Sequence, residues 1–132
     1  MKTRQLLTLL CLHFLLLLLV GCGTQAAASS STNPDALHIT RKPVDASGTS
    51  EKTVSEATKV QQIYKHIQSL PSMPTDQMCT MQAGPSYELV FSHAGTTLLT
   101  AKADSSGCGT VKLSDKDTRL ADKAFWQLLQ DA

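Results

Sequence analysis

The sequence predicts a two-layer α+β domain, read in order as an N-terminal helix, an antiparallel three- or four-stranded meander and a C-terminal helix. Two observations carry that reading. Apolar side chains recur every three or four residues in one stretch ending near residue 70 and in another beginning near residue 121, and between the two the repeat shortens to every second residue. A period near 3.6 marks an amphipathic helix and a period of two a half-buried strand. A sheet with one apolar face needs helices to cover it, and two are at hand.

The first helix is expected over 54–69. Thr53-Val54-Ser55-Glu56 fits a capping box, in which a hydroxyl and a carboxylate three residues apart serve orphan amides. Val54, Ala57, Val60, Ile63, Tyr64, Ile67 and Leu70 then form one apolar stripe, with Lys59, Gln62, Lys65, His66 and Ser69 opposite. Pro71 ends the element because it cannot continue the hydrogen-bond ladder. In the next stretch Tyr87, Leu89 and Phe91 alternate with Ser86, Glu88 and Ser92, which is the pattern of a half-buried strand. His93-Ala94-Gly95-Thr96 supplies a turn, 97–103 a partner strand, Asp104-Ser105-Ser106-Gly107 a second turn, and 108–113 a third strand. A fourth strand is expected at 78–83. Ser114 to Asp117 offers caps for a last helix whose apolar face is Ala121, Ala124, Phe125, Leu128 and Leu129.

The other end of the chain reads as an export signal: a basic start at Lys2 and Arg4, an apolar run over 6–20, and small residues after it. The run is about 15 residues, short of the roughly 20 that a spanning helix needs, and His13 interrupts it. It closes on Leu19-Val20-Gly21-Cys22, which resembles the lipobox of bacterial lipoproteins. That resemblance implies cleavage between Gly21 and Cys22, diacylglycerol on the Cys22 thiol, and a further acyl chain, such as palmitate, on the new amine. Two or three acyl chains hold a protein firmly where one holds it marginally. On this reading 1–21 is a signal peptide that is removed, 22–52 is the lipidated cysteine with a flexible tether, and 53–132 is the globular domain. The tether assignment rests on the many small polar residues of 23–52, with Leu37 and Ile39 as its main apolar side chains. An edge strand over 37–44 is the alternative. Gly23, rather than Asp, after the lipidated cysteine implies the outer membrane in a Gram-negative host, and an outward-facing lipid anchor in any host.

The lipobox resemblance also sets the remaining cysteines. Cys11 leaves with the signal and Cys22 carries lipid, so Cys79 and Cys108 are expected to form one disulfide in an oxidising compartment. Closing a loop of about 30 residues contributes roughly 3–4 kcal/mol in the chain-entropy model. A metal site combining these cysteines with His93 is the competing idea, but the close Cys-x-x-Cys spacing of zinc sites is missing. Loss of Lys2 and Arg4 takes the basic side chains from 12 to 10 against 11 acidic ones, a balance of −1, which leaves no basic field for nucleic acid.

No nucleophile elbow, phosphate loop, paired-histidine metal motif or haem motif is present, so neither an enzyme nor a cofactor or metal is expected. His38, His66 and His93 read as solvated side chains. Trp126 sits about 100° from Phe125 around the last helix, near the edge of its apolar face, where a tryptophan closes a small core or anchors a partner. Tyr64 and Tyr87 belong to apolar stripes and read as core. Met78-Cys79-Thr80-Met81-Gln82 resembles the reactive loop of Streptomyces subtilisin inhibitor-like proteins, in which a disulfide-tied cysteine lies two residues before an exposed apolar specificity residue; that resemblance implies that Met81 enters a protease pocket. The region from Cys79 to Leu129 is similar to small secreted domains of uncharacterised bacterial lipoproteins, sharing a first Cys, a Tyr-x-Leu-x-Phe strand, a Cys-Gly-Thr-Val strand and a final Phe-Trp-x-Leu-Leu helix. The expected function is therefore a lipid-anchored, non-enzymatic binding module of the cell envelope that meets another envelope or extracellular component. A protease inhibitor acting through Met81 is the alternative, and an enzyme with an unrecognised site a further one.

Overall fold

In the computed structural model, residues 32–45 and 47–132 are described; the signal peptide, Gly21, Cys22 and the first part of the expected tether lie outside them. Residues 32–132 form one compact unit. Its elements in chain order are β1 (Ala36–Lys42), β2 (Ser50–Val54), α1 (Ala57–Ser69), β3 (Ser86–His93), β4 (Thr96–Asp104), β5 (Thr110–Ser114), β6 (Asp117–Leu120) and α2 (Lys123–Gln130). The strands make one six-stranded sheet in the order β2-β1-β3-β4-β5-β6, every neighbouring pair antiparallel. The protein is thus α+β, with two helices and a Cys79–Cys108 disulfide.

Two strands precede the first helix, and this corrects three expectations together. Residues 36–42 and 50–52 are strand and not tether, and 53–54 are strand and not the start of a helix. β1 is not an edge strand either, because it pairs with β2 on one side and β3 on the other. The helix is not N-terminal to the sheet, and the sheet has six strands rather than three or four. The physical reason is local: Leu37 and Ile39 alternate with His38 and Thr40, and both apolar side chains are buried, Leu37 completely. Composition averaged over about 30 residues hides a two-residue alternation of that kind.

Three smaller corrections follow from the same change. The capping box does not form, since Thr53 lies in β2 and its hydroxyl meets the His38 ring at 3.1 Å; Glu56 is the N-cap and makes no side-chain cap bond. Residues 78–83 are loop, not strand. Ser114 and Asp117 flank the β5–β6 turn, and the cap of α2 is Asp122, which accepts the Phe125 amide at 2.7 Å.

The register places Leu37, Ile39, Leu89, Phe91, Ala101, Ala103 and Val111 on one face of the sheet. Val60, Ile63 and Ile67 of α1 and Phe125 and Leu129 of α2 complete the core there. Tyr64 packs edge-on to Phe91 with ring centres 5.2 Å apart. The opposite face carries His38, Thr40, Glu88, Thr100, Lys102 and Lys112, polar side chains that suit contact with water. Past α1, Arg119 donates to the carbonyls of Gln68 (2.9 Å) and Leu70 (3.0 Å) while the Asp117 carboxylate grips its guanidinium, and Ser72 bridges to the outer edge of β6.

If β1 is core, Leu37→Ala should lower unfolding stability by about 2–5 kcal/mol, the usual cost of emptying a buried leucine site. Urea unfolding followed by far-UV circular dichroism measures it, and an unchanged midpoint would return this segment to a tether.

Candidate functional site

The chain enters the domain at Asp35, whose amide donates to the Ser92 carbonyl (2.9 Å), so entry is at the end of the sheet formed by the start of β1 and the end of β3. The other end gathers the β1–β2 turn, the long α1–β3 loop and the β4–β5 turn. The disulfide ties the last two together, with Cα atoms 4.9 Å apart. Around it, Gly107 donates its amide to the Gln82 carbonyl (2.9 Å), and Ser105 donates both its amide (3.1 Å) and its hydroxyl (2.8 Å) to the Pro85 carbonyl. Gly84 is required at this junction because a Cβ would fall 2.8 Å from the Ser105 carbonyl carbon. The α1–β3 loop is therefore held along much of its return path.

The large apolar side chains exposed among the described residues all lie at this end: Val44 in the β1–β2 turn at 61%, and Met78 and Met81 in the disulfide loop at 90% and 103%. Met81 thus stands on a loop beside the disulfide. Trp126 is half-buried, its ring 4.8 Å from Phe125 and 6.0 Å from Tyr87. Gly109, with φ +69, lies under the indole, where a Cβ would come within 3.3 Å of Nε1. Trp126 accordingly packs on the core with one side and lines a surface groove with the other.

That groove has a volume of about 250 Å3. Ile39, Tyr87, Trp126 and Leu129 supply its apolar surface, and its charged lining is mixed, with Arg41 and Lys52 beside Glu51. Lys52 donates its ammonium to a main-chain oxygen of Ala132. Arg41 makes no hydrogen bond or ion pair among the described residues; its charge is felt weakly by Asp45, whose carboxyl is lowered chiefly by the Ser47 hydroxyl and amide. Tyr87, expected as core, is a wall of this groove as well. Arg41 and Lys52 escaped the sequence reading because they fall within the stretch read as tether. Their signal is their parity with Leu37 and Ile39, which puts them on the helix-bearing face.

His38, His66 and His93 each meet a carboxylate from another segment. His66 Nε2 is 2.8 Å from Asp122 Oδ1, His93 Nδ1 is 3.1 Å from Asp35 Oδ2, and His38 Nε2 is 3.8 Å from Glu51 Oε2. His38 lies in β1 rather than in a tether. The His66–Asp122 pair joins the two helices, and Ser69, one turn on, spends its hydroxyl on the His66 carbonyl at 2.7 Å. Cys79 and Cys108 are bonded to each other and so offer no thiolate beside His93, which overturns the metal alternative. Among the described residues no group of three or more His, Cys, Asp and Glu side chains could hold a metal ion, and no helix is long and apolar enough to cross a membrane.

Comparison of the chain with protein-family models, with curated proteins and with solved structures found no match.

Asp122 is held below the ordinary carboxylate range, first by the hydrogen bond from His66 and then by the Phe125 amide. A carboxyl lowered on folding stabilises the fold above its unfolded pKa, about 3.9, and that contribution fades as pH falls through the lower folded value. Asp122→Ala should therefore cost about 1 kcal/mol at pH 5 to 6, as loss of an N-cap does. The gap between wild type and variant should narrow as unfolding is measured at progressively lower pH below 4; a gap independent of pH would remove the carboxylate from this role.

Proposed function

We propose that this chain is a lipid-anchored cell-envelope protein, cut before Cys22, whose C-terminal domain is a non-enzymatic module that binds another envelope or extracellular protein. The observation that carries the reading is the polarity of the domain. The chain enters at one end of the sheet, and Val44, Met78 and Met81 are exposed in the turns at the other. Seven residues of β1 separate the two ends by about 23 Å at strand rise. A lipid on Cys22 would hold the entry end toward the membrane and leave the apolar end facing away.

The span between Cys22 and β1 is about 13 residues, at most about 45 Å when extended, against the longer reach expected of a tether running to residue 52. A domain on so short a lead stays near its membrane and meets partners from the distal side. Met81 in a loop fixed by the disulfide loses little freedom on docking, which favours binding there. The same exposure supports the second reading, a protease inhibitor in which Met81 fills a specificity pocket.

Anchoring is tested by Cys22→Ala, which should accumulate as a longer precursor and fail to incorporate labelled fatty acid; undiminished labelling would end the lipoprotein reading. Partner binding is tested by cross-linking in intact cells. A cross-linked protein should be lost in Met81→Asp and retained in Thr97→Asp, a change of an exposed residue at the entry end. Equal cross-linking in both variants would reject the distal surface, and capture of a serine protease inhibited by the wild-type chain alone would select the second reading.

A further inference from the structure

The exposed side chains of the disulfide loop carry sulfur as well as apolar surface. We infer that Met78 and Met81 form a modification site, oxidised to sulfoxides by hydrogen peroxide, and that their oxidation switches off docking at the distal end. The switch rests on the reading of that end as the partner-facing one, whereas the modification site does not.

A thioether sulfur is soft and polarisable, and a two-electron oxidant attacks it wherever it can reach it. Among the described residues no thiol competes, because Cys79 and Cys108 are bonded to each other. Access then decides between the methionines at 73, 78 and 81. Met73 is half-buried, and its amide donates to the Thr118 carbonyl at 2.8 Å where the chain runs along β6. Met78 and Met81 are nearly and fully exposed.

The loop holds them in that position. Cys79 and Thr80, the two residues between them, are the anchored ones. Cys79 is bonded to Cys108, and the Thr80 hydroxyl donates to the Gly107 carbonyl at 3.4 Å. Gly107, with φ +58, lies so close beneath that a Cβ there would come 3.1 Å from the Thr80 carbonyl oxygen and 3.3 Å from the Cys79 Cβ. On the far side of Met81, the Gln82 carbonyl accepts the Gly107 amide at 2.9 Å. The two thioethers thus flank a fastened pair and stay in water.

In the reaction each sulfur gives a lone pair to one oxygen of the peroxide. The S–O bond forms as the O–O bond breaks, and the departing hydroxide takes the proton from the transferred oxygen and leaves as water. Sulfur is oxidised by two electrons and the peroxide is reduced by two. With Val44, these are the large apolar side chains exposed among the described residues, so two sulfoxides turn most of that surface polar. Neither side chain belongs to the core, so the fold is left standing.

The full chain in dodecyl maltoside is treated with hydrogen peroxide, the excess is destroyed with catalase, and each sulfoxide is assigned by peptide mass spectrometry. Met78 and Met81 should oxidise at least about five-fold faster than Met73, with the urea midpoint unchanged. The oxidised chain, mixed with untreated envelope extract, should lose the cross-link that the unoxidised chain makes, and Met73→Leu should lose it equally after peroxide. Met73 keeping pace with the other two would overturn the site. A cross-link that survives oxidation, that survives it in Met73→Leu, or that is lost only together with a lowered urea midpoint would overturn the switch. If the unoxidised chain makes no cross-link, the binding reading falls with the switch, and the oxidation rates still decide the modification site.

Discussion

The domain depends on one apolar sheet face being covered by two short helices. Six strands present that face, and α1 and α2 bring only 13 and 8 residues to cover it. Val60, Ile63, Ile67, Phe125 and Leu129 of the helices share one buried cluster with Leu37, Leu89, Phe91, Ala101, Ala103 and Val111 of the sheet. An 8-residue helix is too short to be stable through its own hydrogen bonds. α2 is instead held from outside: Asp122 caps its start and takes His66 of α1, and beyond its end Lys59 and Lys52 donate to main-chain oxygens of Asp131 and Ala132. The groove is what remains of the apolar face where α2 no longer reaches across β1 and β2. Site and core are thus two parts of one surface, divided by the length of a helix.

The distal end is organised by a different constraint. The α1–β3 loop spans 16 residues without a helix or strand of its own, a length at which ordered loops are uncommon unless fastened. Here the disulfide, the paired donations to Pro85 and the close approach of Gly84 to Ser105 fasten one end, and the bridge from Ser72 to Arg119 fastens the other. Between the fastenings lie Met78 and Met81, nearly or fully exposed. Exposed thioethers gain nothing from water, and a flexible loop could fold them inward. A loop held this firmly keeps them out.

What was legible in the sequence was periodicity that ran long enough to be unambiguous. The stripe from Val60 to Ile67, the Tyr87-Leu89-Phe91 alternation and the pairing of Cys79 with Cys108 all stand in the fold. Leu37 and Ile39 were visible as apolar residues but drowned by the Ser, Thr, Ala and Gly around them. Thr53 to Glu56 misled because a capping box is a local pattern, and cross-strand pairing of Thr53 with His38 outweighed it. For the candidate site, Met81 and Trp126 were found as residue types in suggestive places. The groove between Trp126, Tyr87 and Arg41 was not, since Arg41 and Tyr87 are 46 positions apart in the chain and meet only through the β1–β3 register.

That register also explains why β1 matters twice. In its first half Leu37 and Ile39 point into the core and fix which face the strand presents. Once that face is fixed, the two-residue repeat carries Arg41 onto the same side, just past the reach of α2, with Tyr87 opposite it. A slip of one residue would turn Leu37 and Ile39 outward together with Arg41. The same burial that makes β1 a core strand therefore sets the position of Arg41 in the groove, and the lining at the distal end is fixed by packing at the centre of the sheet.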